Sequence, residues 1–215
     1  ANRGECVQIC RRGYEVTDLE TGNRLEIDNK YIMSPKDLKT IRFIDKMMKV
    51  GVSVFKIEGR ARSAEYVYTV VNCYKEAIAS VEDGTFTDEK KDKWDKQLST
   101  VFNRGFWDGY YQGQFLGEWT HEYGSKATRK KVYAGKCTNF FSRISVAEFM
   151  LEAIPQLSEG DELLVTGETT GVYELTAHDL HDEPGNPRQT VYQGHAFAIH
   201  TDRVIHRGDK LYLYK

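Results

Sequence analysis

The spacing of apolar positions changes class near residue 130. Before it, apolar residues recur every three or four positions, with short apolar runs between; after it they mostly alternate with polar ones. Ser34-Pro35-Lys36-Asp37 carries a helix-start signature: a serine suited to the N-cap, proline at the first helical position and an acid at the third. Leu38, Ile41, Ile44 and Met48 follow on one predicted face, and Gly51 predicts the end of that helix. Tyr31-Ile32-Met33 reads as the end of a strand, and Val52-Ser53-Val54-Phe55-Lys56-Ile57 as a short strand. Ser63 predicts a cap for a second helix, with Val67, Val71, Tyr74 and Ile78 on its inner stripe and Cys73 on the face of Val70 and Ala77. Thr87 predicts a cap for a third, with Trp94, Leu98 and Val101 inward.

Strands alternating with helices imply a parallel sheet with right-handed crossovers. Two such strands cannot form a stable parallel sheet alone, so this part reads as a portion of a larger α/β domain. Residues 103–130 are rich in glycine and aromatics, including Trp107, Tyr110, Tyr111 and Phe115, which suits a packed, irregular connection and leaves open base stacking. From Lys131 onward, Ser158-Glu159-Gly160-Asp161 and His206-Arg207-Gly208-Asp209 each place a Gly-Asp turn before an alternating strand. About six strands fit in this tail, and a small antiparallel barrel is the expected closure.

Composition narrows the class. The chain has 215 residues, 40% of them apolar, enough for one large domain or two small ones. No window approaches the apolar length of a membrane helix, and no signal-peptide core begins the chain. Ala1 stands where an initiator Met would, which suggests a processed product or a fragment. The net charge of −2 argues against bulk capture of nucleic acid, although residues 1–130 carry +2 and residues 131–215 carry −4. A local basic patch through Arg3, Arg11, Arg12, Arg60 and Arg62 stays open. Four cysteines are too few for a disulfide scaffold, so a reducing, cytoplasmic setting is expected.

Cys6 and Cys10, separated by three residues, can hold a metal or cluster only in part; iron–sulfur sites usually take four thiolates. Cys73 and Cys137 fall in apolar surroundings and read as core thiols. Glu58-Gly59-Arg60 and Arg62 follow an apolar run; they suit acid/base work and anion recognition, or equally a structural Glu–Arg pair. Ser34 and Asp37 read as caps, and no histidine neighbours Ser34 in sequence to activate it. His178-Asp179-Leu180-His181-Asp182-Glu183 precedes a turn-rich stretch and reads as a solvated loop rather than a metal site.

The ordered blocks are similar to those of a known family. Asn2-Arg3-Gly4-x-Cys6-x-Gln8-x-Cys10-Arg11-x-x-Tyr14 resembles the central signature of the U32 peptidases, the collagenase-like proteins. Met33-Ser34-Pro35-Lys36-Asp37-Leu38, Gly51-Val52-x-x-Phe55-Lys56-Ile57-Glu58-Gly59-Arg60, Ser63-x-x-Tyr66-Val67 and Asn103-Arg104-Gly105-Phe106-x-x-Gly109-Tyr110 follow in the family's order, and the tail resembles its C-terminal extension. The resemblance implies an α/β plus all-β chain: the C-terminal part of a (βα)8 (TIM-like) barrel in residues 1–102, the connection at 103–130, and a small antiparallel β-barrel at 131–215. The rest of the barrel would lie outside this chain.

In a (βα)8 barrel the site lies at the C-terminal ends of the strands. By resemblance, Lys56, Glu58 and Arg60 are the catalytic candidates, and Arg62, Arg11 and Lys36 the substrate-binding ones. Cys6 and Cys10 would be half of a four-iron four-sulfur site whose other ligands lie elsewhere, with no cluster expected in this chain alone. Members with such a tail are linked to hydroxylation of RNA bases, with prephenate tied to the transfer-RNA case. The expected function is therefore Fe–S-dependent hydroxylation of a tRNA or rRNA base, with RNA and a small carboxylate such as prephenate as partners and no membrane. The alternatives are a collagenase-like peptidase, and a tail that serves as an RNA- or protein-binding module. No His-Glu-x-x-His and no nucleophile elbow supports the peptidase, and the tail's −4 charge does not favour RNA.

Overall fold

The structure, a computed structural model, describes residues 9, 12–27, 34–60, 62–114, 116–120 and 124–215. Backbone proximity divides the chain into two compact units, Ala1–Ile57 with Val70–Ala127, and Glu58–Thr69 with Thr128–Lys215.

In the first unit, β1 (Tyr14–Thr17) and β2 (Arg24–Ile27) form an antiparallel hairpin. Strand β3 (Asp37–Leu38) pairs in parallel with β4 (Phe106–Trp107). A 3-10 turn at Ile41–Phe43 leads into α1 (Ile44–Lys49). Helix α2 (Ala64–Glu82) has its first residues in the second unit and the remainder in the first; α3 is Asp88–Thr100.

Ser34-Pro35 does not start a helix. Pro35 bridges Trp119, and α1 begins ten residues beyond Ser34. Long-range partners win here over local capping. The amides of Lys36, Asp37 and Lys39 donate to the carbonyls of Glu118, Gly105 and Trp107 at 3.0, 2.8 and 2.9 Å. The Asp37 carboxylate accepts from the amide and the guanidinium of Arg104, each at 2.8 Å, instead of from helix amides. Leu38 is therefore exposed, while Ile41, Phe43 and Ile44 are buried. The left-handed Gly51 ends α1 as expected.

Residues 52–57 do not form a strand. A strand is defined by a hydrogen-bonded neighbouring strand, and residues 52–57 pair with none among the described residues. Val54 is 82% exposed. Residues 31–33, the other expected strand of this part, lie outside the described residues.

The buried line of α2 is Val70, Cys73, Ala77 and Ser80, rotated by one position from the expected stripe. Val67 is exposed, and Val71, Tyr74 and Ile78 sit at the border. Tyr74 uses that border position: its hydroxyl accepts from the Thr40 amide at 3.0 Å. Helix α3 follows its local signals. Thr87 accepts from the Lys90 amide at the N-cap, and Trp94, Leu98 and Val101 are buried.

In the second unit the tail forms β5 (Lys131–Phe141), β6 (Val146–Leu151), β7 (Gln156–Ser158), β8 (Glu162–Gly167), β9 (Gly171–Thr176), β10 (Leu180–Asp182), β11 (Pro187–Arg188), β12 (Thr190–Tyr192), β13 (Ala196–His200) and β14 (Lys210–Tyr214). There are more strands than the six expected because several have only two or three residues. Eight make one antiparallel sheet in the order β11-β10-β13-β6-β5-β14-β8-β9, and β7 pairs with β12. Alternation sends Leu163, Val165, Leu211, Leu213, Phe149, Phe197 and Ile199 into one apolar core, where Phe149 stacks on Phe197 at 5.7 Å.

The two Gly-Asp turns are the same structure. Gly160 and Gly208 have φ of +89° and +92°, a region that disfavours side chains with a Cβ. The Asp161 carboxylate accepts from the Ser158 amide at 2.8 Å, and the Asp209 carboxylate from the His206 amide at 2.8 Å. Gly160 and Asp161 exchange backbone hydrogen bonds with Ala177, and Gly208 and Asp209 exchange the same pair with Cys137.

Candidate functional site

The segment Glu58-Gly59-Arg60 is a tight turn before α2. The amide of Arg60 donates to Glu58 Oε1 at 2.8 Å, and the amide of Arg62 donates to the Gly59 carbonyl at 3.0 Å. Glu58 thus binds the backbone of Arg60, and the side chains of Glu58 and Arg60 stay exposed. Arg62 is half-buried, with its guanidinium carbon 5.5 Å from the Tyr66 ring centroid. In the first turn of α2, the Ser63 hydroxyl donates to Glu65 Oε1 at 2.5 Å, and Lys131 Nζ lies 2.8 Å from that oxygen. Burial pushes the Glu65 carboxyl up, but the hydrogen bonds from Lys131 and Ser63 outweigh it and leave it below its ordinary range. An exposed guanidinium such as that of Arg60 suits recognition of phosphate or carboxylate groups.

Lys36 and Lys56 belong to the first unit. Lys56 is exposed, and Lys36 is held by Glu118 at 2.5 Å. Arg104 and Asp37 form a second pair with both side chains 20% exposed, and Lys39 pairs with Asp95 at 2.7 Å while lying over Phe106. Ser34 is fully buried, and its hydroxyl has no hydrogen-bond partner among the described residues. The one histidine of this unit, His121, lies outside the described residues. The aromatic segment is partly open: Tyr110 and Tyr111 are more than half exposed, and Trp107 meets Tyr110 edge-on at 5.3 Å.

Cys6, Cys10 and Arg11 lie outside the described residues. The two described thiols, Cys73 and Cys137, are buried. Burial, reinforced by Glu76, pushes Cys73 up to about 12, and burial pushes Cys137 up to about 11. Both favour the neutral thiol over the thiolate a metal needs. Cysteine is the right donor type for an iron–sulfur cluster, so Cys6 and Cys10 fit as two of four ligands. Among the described residues, no group of three or more His, Cys, Asp and Glu is placed to hold a metal ion. In the tail, Asp182 takes Arg188 and Asn186 as partners, and His181 turns to the Asp179 carbonyl. No described helix is long and apolar enough to cross a membrane.

The pattern of residues did not point to Glu65, Lys131, Glu118 or Arg104. The only signal for Arg104 was its place in the Asn103-Arg104-Gly105 block. Lys131 pairs with Glu65, and Glu118 with Lys36, across long stretches of chain, which periodicity cannot report.

The block order agrees with a direct comparison: residues 1–121 match the model of peptidase family U32, and the chain belongs to that family. A protein of Porphyromonas gingivalis named collagenase is 56% identical over 214 residues, covering 100% of this chain and 51% of its own length. The tRNA hydroxylation protein P1 of Bacillus subtilis is 31% identical over 198 residues, covering 86% of this chain and 44% of its own length. The chain thus spans about half the length of these relatives. A solved C-terminal domain of a Geobacillus thermoleovorans protein described as a U32 peptidase aligns with 38% of this chain and 90% of its own, at 15% identity and a TM-score of 0.35.

Proposed function

We propose that the whole protein is a cytoplasmic U32-type enzyme that hydroxylates a base of tRNA or rRNA. The supporting observation is the turn at Glu58-Gly59-Arg60, in which Glu58 binds the Arg60 amide and the Arg60 side chain stays exposed for an anionic group. In this reading residues 1–102 complete a (βα)8 barrel with chain from elsewhere in the protein, residues 103–130 connect, and 131–215 close as a small β-barrel. Cys6 and Cys10 hold one side of a four-iron four-sulfur cluster, which supplies electron transfer or oxygen-transfer chemistry when bound. Arg62, Arg11 and Lys36 are the candidates to bind RNA phosphate or a small carboxylate donor such as prephenate, and Lys56, Glu58 and Arg60 are the candidates for the chemistry.

The second reading is a peptidase, favoured by the 56% identity to the protein named collagenase. The deciding experiment is a nucleoside mass profile of tRNA and rRNA with and without the gene. A hydroxylated nucleoside lost with the gene supports RNA modification. Unchanged nucleosides, with collagen cleaved by the purified whole protein, select the peptidase.

A further inference from the structure

Residues 58–69 belong to one compact unit with the β-rich tail. An ion pair joins them: Lys131 Nζ and Glu65 Oε1 are 2.8 Å apart, with side chains 30% and 12% exposed. The ammonium of Lys131 also lies 4.6 Å from the centroid of Tyr212, and Tyr212 meets Tyr133 edge-on at 5.8 Å. Tyr133 is anchored in turn, because its hydroxyl donates to Glu152 at 2.6 Å. Leu211 and Leu213 enter the core, so by alternation Tyr212 stands on the opposite face of the sheet. Lys131 is thus a seated cation on an aromatic bed, and Glu65 is bound to it.

The same helical turn carries the arginine segment. Arg62 lies over Tyr66, the neighbour of Glu65. Gly59 sits so close to Val67 that a Cβ on it would come within 2.8 Å of a Val67 methyl. The loop is therefore pressed onto the first turn of α2, and that turn is tied to the tail through Glu65.

We propose that Lys131 is a positioning residue: by holding Glu65 on the Tyr212 face, the tail fixes where Arg60 and Arg62 stand. The functional half of this proposal rests on the reading that those arginines bind the RNA substrate. The test uses the whole protein with Lys131→Met, which keeps most of the apolar stem and removes the charge. Amide exchange across residues 58–69 should quicken about tenfold. KM for RNA should rise about fivefold, with kcat changed less than about twofold. Lys131→Arg, which keeps a cation over Tyr212, should restore both. Unchanged exchange at 58–69 in Lys131→Met overturns the proposal. So does faster exchange with an unchanged KM in a protein whose KM rises on Arg62→Ala. If Arg60→Ala and Arg62→Ala both leave RNA modification intact, the substrate reading of the arginines fails instead, and the exchange rates still decide whether Lys131 holds the turn.

Discussion

Residues 52–57 and strand β8 both carry apolar side chains in short extended-type runs, and their surroundings differ completely. Strand β8 lies between β14 and β9, and its Leu163 and Val165 are buried in the tail core. Residues 52–57 have no strand beside them among the described residues, and Val54 is open to solvent. Side-chain pattern states what a segment could bury; a neighbouring backbone decides whether it becomes a strand.

The largest effect that tests this contrast is in the tail. Phe149→Ala removes a fully buried ring stacked on Phe197, and should cost about 3–5 kcal/mol in urea unfolding. Asp209→Ala leaves the His206 amide without its carboxylate acceptor and removes a Thr170 hydroxyl contact, and should cost about 2 kcal/mol. In the first unit, Asp37→Asn weakens the contact that replaces a helix cap with an Arg104 pair; about 1–2 kcal/mol is expected. Val54→Ala in this chain should change stability by less than about 0.5 kcal/mol. In the whole protein the same substitution sharpens the comparison: a loss above about 1 kcal/mol there would show that Val54 is buried once partner strands are present.

The smallest effect is a pH dependence. The folded-state carboxyl of Glu65 lies below its ordinary value of 4.5, so its contribution is complete above that value and fades as pH falls through the folded one. Unfolding midpoints measured at about pH 6 and about pH 3 should therefore differ more in the parent chain than in Lys131→Met. Equal differences would mean the pair adds nothing to stability.

These contrasts also explain how far the sequence could be read. Thr87 caps through Lys90, three residues on, and Trp94 and Leu98 fall at helical spacing, so α3 was legible. The tail was legible as strands because alternation and Gly-Asp turns are local, although its strands of two or three residues were too short to register. Ser34-Pro35-Lys36-Asp37 misled because its real partners, Arg104, Gly105 and Glu118, lie far along the chain. The candidate site divides likewise. The block around Glu58 and Arg60 was visible as a motif, while Glu65–Lys131 depends on a face of the sheet that exists only after folding.

The matched Gly-Asp turns imply a local dyad in the tail. Leu164 pairs with Tyr212, while Leu163 pairs with Leu213 and Val165 with Leu211, so a twofold axis through the first pair exchanges β8 with β14. It also exchanges β9 with β5, since Leu175 stands beside Leu163 as Gly135 stands beside Leu211. Leu164 and Tyr212 are then counterparts, one an aliphatic side chain buried completely and the other a half-exposed aromatic. The pseudosymmetry is broken at its own axis, at the residue on which Lys131 rests.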